Sequence, residues 1–474
     1  MGEVLWTAKE AEDATSGAAT GEWAATGVSI DSRSCRRGDL FIAITGPNMD
    51  GHNFVAEALK KGCAAAVISR KPMDVQDDAQ LLLVGDTMDA LRKLGAAARN
   101  RASARILAVT GSVGKTGTKD ALFKVLNNQA PSHCSANSFN NHWGVPLSLA
   151  RMPRDTVYGI FELGMNHPGE ISELTRLVRP HVAIITTVQA AHLEFFQSVE
   201  DIARSKAEIF EGVEQGGTAV LNRDNQHFEL LREAARAAGV GEVISFGVHE
   251  QANARVIDVA LHPECSCVSA EVCGQAITYK VGIPGRHWVI NSLGVLAAVK
   301  AAGADLGLAG LKLAELVAPK GRGNRTTIHT ADGSFSLIDE SYNANPTSME
   351  AAFETLGLAN VGPRGRRIAI LGDMLELGGD ADQLHQDLGP VLIEAGIDVV
   401  FTAGPNMARL SKVLPPSMRG GHADDAEQML KLVVKLVRPG DAVMVKGSFG
   451  SRMGSVVNAL EKLAQPRPPL AAEA

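Results

Sequence analysis

The middle of the chain alternates short apolar segments with segments of helical spacing. Four apolar runs have the length of buried strands: 106–110, 157–161, 182–187 and 218–221. Their alternation with helices predicts a largely parallel sheet that is covered on both faces. Residues 243–281 alternate and are rich in β-forming residues, which predicts a small antiparallel appendage. A helix is expected next, at 289–302.

The first hundred residues show the same rhythm on a smaller scale. Two strands are predicted at 40–44 and 64–68, and between them lie a turn-rich loop at 46–52 and a helix at 53–61. The polar stretch 99–105 is interpreted as a linker to the central segment.

A second boundary is predicted at 319–325, where Pro, Gly and Arg cluster. Beyond it four more apolar runs have the length of strands: 335–339, 368–371, 399–403 and 442–445. A chain of 474 residues is too long for one core. The pattern therefore predicts an α/β protein with a small N-terminal domain at 1–104, a central parallel-sheet domain at 105–325 and a Rossmann-like C-terminal domain at 326–474.

Composition and charge exclude several functional classes. The net charge is −7 and no basic run occurs, which argues against nucleic-acid binding. The N-terminal residues lack the pattern of a signal peptide, and no apolar run approaches the ~20 residues of a membrane helix. Among the six cysteines, Cys265, Cys267 and Cys273 match no common zinc spacing. We therefore expect a cytoplasmic protein with neither nucleic-acid partners nor membrane insertion.

A short glycine-containing loop follows the strand at 106–110 and opens a helix. Its residues are Gly111, Ser112, Val113, Gly114, Lys115 and Thr116. Glycines let the backbone wrap a phosphate, Lys115 neutralises charge and Thr116 can bind Mg²⁺. The eight-residue form of this motif would have Gly in place of Val109, so the pattern here is shorter and less specific. Its position between a strand and a helix favours phosphate binding over an ordinary turn.

Two polar side chains are predicted to lie near this loop, beyond the carboxyl ends of parallel strands. Glu162 closes the strand at 157–161, and His192 follows the strand at 182–187. A carboxylate and an imidazole beside a phosphate loop are reasonable metal ligands. Each of them alone is more often an ordinary polar residue, and it is their combination that favours a functional site.

Lys206 lies in the middle of an apolar helical stripe. The helix is predicted at 199–213, with Ser198 as its N-cap. A charged lysine there is costly unless it snorkels to the surface, is paired or loses its charge. Snorkelling remains an alternative to a functional role.

Together these residues resemble the Mur ligase family over almost the whole chain. N-terminal segments that resemble the family's uridine-diphosphate pocket are Asp31-Ser32-Arg33, Gly38-Asp39-Leu40-Phe41 and Asp50-Gly51-His52. Central segments that match in order and spacing, besides the phosphate loop and the Lys206 helix, are Asn140-Asn141, Glu162-Leu163-Gly164 and Ala191-His192-Leu193-Glu194.

Two long motifs in the third domain resemble the family members that add D-alanyl-D-alanine. They are Ser-Tyr-Asn-Ala-Asn-Pro at 341–346 and Ile-Leu-Gly-Asp-Met-Leu-Glu-Leu-Gly at 370–378. The resemblance implies an ATP-dependent ligase that joins D-alanyl-D-alanine to the peptide carboxylate of UDP-N-acetylmuramoyl-tripeptide. The reaction would pass through an acyl phosphate, in cytoplasmic peptidoglycan precursor synthesis.

The resemblance also implies roles for single residues. The catalytic residues would be Lys115, Glu162, His192 and Lys206. One or two Mg²⁺ ions would be held by Thr116, Glu162, His192 and Lys206, with Lys206 carbamylated. ATP would contact the loop residues Gly111, Ser112, Val113, Gly114, Lys115 and Thr116, and also Asn291, Arg322 and Glu340. The other substrates would contact Ser32, Arg33, Gly46, His52, Asn140, Asn141, Asn343, His385 and Lys446. The expected partners are these small molecules only, and the expected state is a monomer.

Four positions depart from the family's usual residues. Gly117 stands where Thr is commoner, and Trp288 replaces an Asn, so that Asn291 alone is carried over as an adenine contact. Glu340 replaces an Asp. Phe449 replaces an Arg, whose anion contact is either missing or supplied by Arg452.

Other functional classes fit parts of the pattern. A folate polyglutamylating ligase shares the central motifs but has no use for a uridine pocket. A nucleotide switch would hydrolyse ATP without a dipeptide or a sugar nucleotide. A scaffold role would leave the placement of Lys206 unexplained.

Overall fold

The N-terminal part of the chain forms a five-stranded sheet. The computed structural model describes residues 3–190 and 193–464. The first elements are β1 Trp6–Thr7, α1 Ala8–Thr15, β2 Ala18–Ala19, β3 Ala24–Ala25, β4 Gly27–Ser29, β5 Asp39–Ile42, α2 Val55–Lys60, β6 Ala65–Ile68, β7 Leu81–Leu83 and α3 Thr87–Arg101. The strand order is β2-β7-β6-β5-β4, while β1 and β3 pair separately. Strands β5 and β6 confirm the two predicted strands.

The central segment forms a sheet of nine strands. Its elements are β8 Arg105–Thr110, α4 Lys115–Asn127, β9 Ser132–Cys134, α5 Gly144–Ala150, β10 Tyr158–Glu162, α6 Glu170–Val178, β11 Val182–Ile185, α7 Val199–Ala207, β12 Thr218–Asn222, α8 Phe228–Ala237, β13 Glu242–Gly247, β14 Ala254–Leu261, β15 Ser266–Val272, β16 Gln275–Val281, α9 Arg286–Ala301 and α10 Leu306–Leu313. The order is β16-β15-β14-β13-β12-β11-β8-β10-β9.

The central strands are apolar because both faces of the sheet are covered. β8 pairs in parallel with β10 on one side and β11 on the other, and all three are buried. Two separate apolar clusters pack on the two faces of this sheet. The carboxyl ends of these three strands therefore meet at one edge, which places the loops that follow them side by side.

Two details of the sequence prediction are wrong. The antiparallel appendage begins at β14, because β13 pairs in parallel with β12 and extends the main sheet. The predicted linker 99–105 is mostly ordered structure, since α3 continues to Arg101 and β8 starts at Arg105. Its polar residues mislead because Arg99 is buried and makes specific contacts.

The third segment forms a six-stranded sheet. Its elements are β17 Asn324–Thr330, β18 Gly333–Glu340, α11 Pro346–Gly357, β19 Arg367–Gly372, α12 Ala381–Gln386, α13 Leu388–Glu394, β20 Val399–Ala403, α14 Met407–Val413, β21 Arg419–Ala423, α15 Ala426–Val433, β22 Ala442–Lys446 and α16 Gly454–Glu461. The order is β17-β18-β22-β19-β20-β21, and only β17 is antiparallel to its neighbour. The predicted fold class, an α/β chain whose three main sheets are largely parallel, is confirmed.

The N-terminal unit shares its core with one helix of the central segment. Leu147 and Ala150 of α5 pack in the same apolar cluster as Trp6 and the buried face of α3. The indole N–H of Trp6 donates a 2.9 Å hydrogen bond to the carbonyl of Ala150. The two units are therefore joined by a packed interface. Within the two described ranges, no helix is long and apolar enough to cross a membrane.

Arg99 ties α3 to the end of α6. Its Nε donates to the carbonyl of Val178 at 2.8 Å, and its Nη2 donates to that of Arg179 at 2.9 Å. These carbonyls belong to the last turn of a helix and its cap, where no intrahelical N–H is available.

We expect Arg99→Leu to lower the free energy of unfolding by about 1–3 kcal/mol, because both carbonyls lose a charged donor in a buried place. Arg92→Leu on the exposed face of the same helix is the matched control. Thermal unfolding of the two variants checks the prediction. Equal melting temperatures for both would contradict it.

Candidate active site

A cavity of about 490 Å³ lies where the carboxyl edges of the central and third sheets face each other. It is lined from both sides by residues that the sequence predicted for the site: Ser112, Val113, Gly114, Lys115, Thr116, Asn140, Glu162, Asn291, Arg322, Glu340, Asn343 and Lys446. Residues separated by more than three hundred positions are thus brought to one place.

The loop at 111–116 is fixed against the end of β11. Gly111 has φ 149°, and a Cβ there would lie 1.9 Å from the hydroxyl of Thr186. The Ser112 hydroxyl donates to the carbonyl of Gln189 at 3.0 Å, and it accepts from the Gln189 N–H at 2.9 Å. Thr186 in turn donates to the carbonyl of Val113 at 2.6 Å. The backbone that would wrap a phosphate is therefore held in shape before any ligand arrives.

The helix α4 starts at this loop without a side-chain cap. Gly114 at its N-cap has φ 82° and offers no hydrogen-bonding side chain, so the first-turn N–H groups face the cavity edge uncapped. Lys115 folds back to donate to the Gly111 carbonyl at 2.7 Å, and burial lowers its pKa. This end of the cavity suits an anion.

Thr116 and Glu162 come together beside the loop. The Thr116 hydroxyl donates to Glu162 Oε2 at 2.8 Å, and the Asn140 amide donates to Glu162 Oε1 at 2.8 Å. Glu162 is only 1% exposed. Its carboxylate is therefore fixed by a hydroxyl and an amide. Among the described residues, no basic side chain forms an ion pair with it.

Lys206 is buried to 2% exposure on α7, which rules out the snorkelling alternative. Its ammonium has no hydrogen-bond or ion-pair partner within the described ranges. Burial, followed by the nearby charge of Lys115, places the pKa of Lys206 well below its usual range. The predicted N-cap is confirmed, because the Ser198 hydroxyl accepts the N–H of Asp201 at 3.1 Å. His192, the other predicted metal ligand of this segment, lies outside the described residues.

The third sheet contributes an ion pair and a hydrogen bond to a backbone carbonyl. Lys446 at the end of β22 lies 3.4 Å from Glu340 at the end of β18, and it donates to the carbonyl of Asn343 at 3.0 Å. Burial lowers the pKa of Lys446 and raises that of Glu340. Both groups therefore sit in a poorly solvated place where each depends on the other for charge compensation.

Two side chains that flank the hairpin β17–β18, Arg322 before it and Tyr342 after it, contact the loop that carries Asn140. The Tyr342 hydroxyl donates to the Ser138 hydroxyl at 2.9 Å, and Arg322 reaches the same oxygen at 3.3 Å. The guanidinium of Arg322 also lies 4.1 Å from the centre of the Tyr342 ring. The two sides of the cavity are therefore bridged by direct contacts at Ser138, which the sequence motifs did not indicate.

Two histidines predicted to bind substrates are buried and make hydrogen bonds within the protein. His385 is fully buried, with Nδ1 on the carbonyl of Ala381 at 2.6 Å and Nε2 accepting the N–H of Met374 at 3.0 Å. His52 is 2% exposed, and its ring nitrogens contact the Asp50 carboxylate and the backbone N–H of Ser69. Because both nitrogens of each ring are engaged, a ligand would have to displace one of these contacts to reach either imidazole.

The remaining N-terminal residues lie at the carboxyl ends of neighbouring parallel strands, away from the central cavity. Ser32 and Arg33 follow β4, and Gly46 follows β5. The Ser32 hydroxyl lies 3.4 Å from Glu57, and Arg33 is exposed and pairs with Asp31.

Asn141 does not line the central cavity. Its side-chain oxygen accepts the N–H of Gly144 at 2.9 Å, which fixes the start of α5. Arg452 also does not substitute for the arginine that Phe449 replaces, because it lines a separate cavity of about 640 Å³ with Asp373 and Asp424. Phe449 itself is 76% exposed.

Sequence reasoning missed Lys119 and His287. Lys119 is 1% exposed on α4, and its ammonium donates to the carbonyls of Ser135 and Asn137, both at 2.9 Å. It stands on the buried face of α4, so the helical argument used for Lys206 applies to it as well. His287 lines the cavity with an unpartnered Nδ1, and burial lowers its pKa to about 4.

Comparison with known proteins agrees with this geometry. Three family models match: "Mur ligase family, catalytic domain" at 24–128, "Mur ligase middle domain" at 109–299 and "Mur ligase, glutamate ligase domain" at 324–449. The UDP-N-acetylmuramoyl-tripeptide--D-alanyl-D-alanine ligase of Rickettsia prowazekii is 33% identical over 91% of this chain and 94% of its own length. The enzyme of the same name from Escherichia coli is 33% identical over 92% and 93%.

Solved structures of enzymes named MurF are also similar to this chain over most of its length. MurF from Acinetobacter baumannii superimposes with a TM-score of 0.83 at 31% identity, over 96% of this chain and 99% of that one. MurF ligase from Thermotoga maritima, solved in complex with ADP, has a TM-score of 0.75 at 27% identity, over 92% and 97%.

A phosphate loop that faces charged side chains of a second α/β sheet defines an ATP-dependent enzyme whose site is divided between two domains. Relatives that match more than nine tenths of the chain, and family models for three successive regions, narrow this class further. The chain belongs to the Mur ligase family.

Lys119 provides a test of how the site is held. We expect Lys119→Met to slow ATP-dependent turnover by roughly 10- to 100-fold, because the loop that carries Asn140 loses its anchor and reacting groups shift. Lys124→Met on the same helix is the control, since Lys124 contacts the carbonyl of Glu315 instead. Steady-state kinetics with a thermal unfolding check on both variants measures the effect. Full turnover in a folded Lys119→Met enzyme would contradict the anchoring role.

Proposed function

We propose that this chain joins D-alanyl-D-alanine to the peptide carboxylate of UDP-N-acetylmuramoyl-tripeptide, at the expense of ATP. The observation that carries the proposal is the shared cavity, in which the phosphate loop faces Arg322, Glu340 and Lys446 of the other half. The two relatives named for this activity align with 91% and 92% of the chain.

The reaction activates a carboxylate before an amine attacks it. The peptide carboxylate attacks the terminal phosphorus of ATP, so that a P–O bond to ADP breaks and an acyl phosphate forms. The amine of D-alanyl-D-alanine then attacks the acyl carbon, gives up a proton, and phosphate leaves from the tetrahedral intermediate. Such chemistry depends on charge neutralisation and positioning.

The side chains of the cavity supply charge neutralisation and positioning. Lys115 exchanges its contact with the Gly111 carbonyl for the phosphoryl oxygens, and the backbone of 111–116 cradles the phosphates. Lys446 brings positive charge from the third domain and Arg322 from the segment just before it, while Asn291 would contact the base. Contact through Ser138 keeps the halves together, which excludes water from the acyl phosphate.

Thr116 and Glu162 fit one or two Mg²⁺ ions. Their hydroxyl and carboxylate oxygens are adjacent, and hard oxygen ligands are those that Mg²⁺ prefers. The resemblance to the family further suggests Lys206 and His192 as ligands of the same ions. A bound Mg²⁺ would neutralise charge on the phosphoryl oxygens.

Lys206 would serve this site as a carbamate. An ammonium would repel the cation. Burial without an anionic partner within the described ranges lowers the pKa of Lys206 and so favours the neutral amine, which is the form that reacts with CO₂. The amine nitrogen forms a bond to the carbon of CO₂ and loses a proton, which yields an anionic carbamate. Burial and the lack of a partner within the described ranges support this modification.

The sugar nucleotide would bind at the N-terminal unit. Ser32, Arg33 and Gly46 lie at the carboxyl edge of the parallel strands β4 and β5, where open α/β sheets receive ligands. Asn140 and Asn343 would contact the peptide end or the dipeptide.

We retain the division into domains at 1–104, 105–325 and 326–474, with the second boundary inside the first residues of β17. Activity as a cytoplasmic monomer is part of the proposal, because each half of the cavity comes from the same chain and ATP is a substrate. The six cysteines, all free, are compatible with it.

The function is tested by phosphate release from ATP with UDP-N-acetylmuramoyl-tripeptide, D-alanyl-D-alanine and Mg²⁺, each omitted in turn. We expect release only with all components, together with a mass gain of the sugar nucleotide by one dipeptide minus water. Release that ignores the dipeptide would favour a nucleotide switch and overturn the assignment.

The modification of Lys206 is tested separately. Lys206→Ala should lose more than about 100-fold in turnover, because a metal ligand is removed, and ¹³C-bicarbonate should give the native enzyme a carbamate signal that the variant lacks. Lys124→Ala is the control and keeps the signal. Undiminished turnover of Lys206→Ala, or no carbamate signal in the active enzyme, would remove Lys206 from the metal site.

A further inference from the structure

Gly117 and Trp288, two of the departures from the family's usual residues, contact each other. Gly117 lies in the first turn of α4 and Trp288 in the first turn of α9, and both line the central cavity. A Cβ built on Gly117 would lie 2.7 Å from Cη2 of the indole and 3.2 Å from Cζ2. The ring therefore occupies the space that any side chain at 117 would need.

The indole has no room to move away from the cavity. Trp288 is 8% exposed and packs in the apolar cluster that also contains Leu122 of α4 and Val289. A side chain at 117 would therefore push the ring toward the cavity, since the opposite side is closed core.

Asn291 lies on the same face of α9, three residues further on. Its amide is close to the phosphate loop, because a Cβ on Gly114 would lie 2.9 Å from the Asn291 nitrogen. The start of α9 thus presents an amide and an aromatic ring to the cavity, next to the first turn of the phosphate-loop helix. The indole N–H has no hydrogen-bond partner among the residues that the structure describes.

We propose that Gly117 and Trp288 form a matched pair, in which the missing side chain at 117 makes room for the indole. Together they line the part of the cavity that binds the nucleoside of ATP, and Trp288 determines how this substrate fits. The inference rests on the proposed use of ATP. The apolar ring is a poor surface for phosphate but a good one for a purine or ribose, because bases stack on aromatic side chains. Asn291 then provides the hydrogen-bonding contact, and Gly117 provides the space.

Tryptophan fluorescence on ADP addition tests the contact in the native chain. We expect ADP to change the emission of the native enzyme and of Trp23→Phe, whose ring lies in the N-terminal core. The change should be absent in Trp288→Phe, although calorimetry still detects ADP binding. An unchanged response in Trp288→Phe would overturn the contact.

A double-mutant cycle on ADP affinity tests the matching. Gly117→Thr should weaken ADP binding roughly tenfold or more, because the ring is forced into the nucleoside space. Gly117→Thr/Trp288→Asn should bind ADP about as well as Trp288→Asn alone, since the smaller side chain leaves room for Thr. Gly389→Ala is a control glycine within a helix, where a Cβ meets nothing nearer than 3.4 Å.

The outcomes separate this inference from the proposed function. Additive losses in the cycle would overturn the matched pair while ADP binding itself persists. A folded native chain that binds no ADP in calorimetry would instead count against the proposed use of ATP. Gly117→Ala, with the smallest added group, shows the same direction of change if Gly117→Thr does not fold.

Discussion

Burial of positive charge beside the phosphate loop is the constraint on which the rest of the site depends. Lys115, Lys206 and Lys446 all have lowered pKa values because burial removes them from water. The carboxylates that line this cavity are Glu162 and Glu340, and Glu162 is already engaged by neutral donors. A site with this charge distribution is costly when empty and favours an anionic occupant.

The architecture satisfies part of that constraint by placing three of the charged groups at the ends of parallel strands. Glu162 ends β10, Glu340 ends β18 and Lys446 ends β22, so backbone pairing inside two sheets fixes their positions. Apolar clusters on both faces then hold the sheets rigid. Chemistry that requires close placement of like charges is thereby supported by ordinary core packing.

The sequence predicted the strands well because a covered parallel strand must be a continuous apolar run, as in β8 and β11. It predicted the burial of Lys206 for the same kind of reason, since helical spacing fixes which face a residue occupies. Pairing direction is not written in such runs, and β13 was therefore assigned to the wrong part of the sheet. Side-chain direction is likewise absent from a motif: His52 and His385 occupy matching positions, but their ring nitrogens contact backbone groups and, for His52, the Asp50 carboxylate.

The helix α5 has a consequence for how this chain can be inherited. Its residues belong to the central segment in sequence, yet Leu147 and Ala150 complete the core of the N-terminal unit. The loop just before it carries Asn140, whose amide holds Glu162. Recombination that exchanged the first hundred residues for those of a relative would therefore separate the N-terminal core from the α5 side chains that complete it. Recombination transfers the N-terminal unit with its core intact only when the segment from Asn140 to α5 is transferred with it.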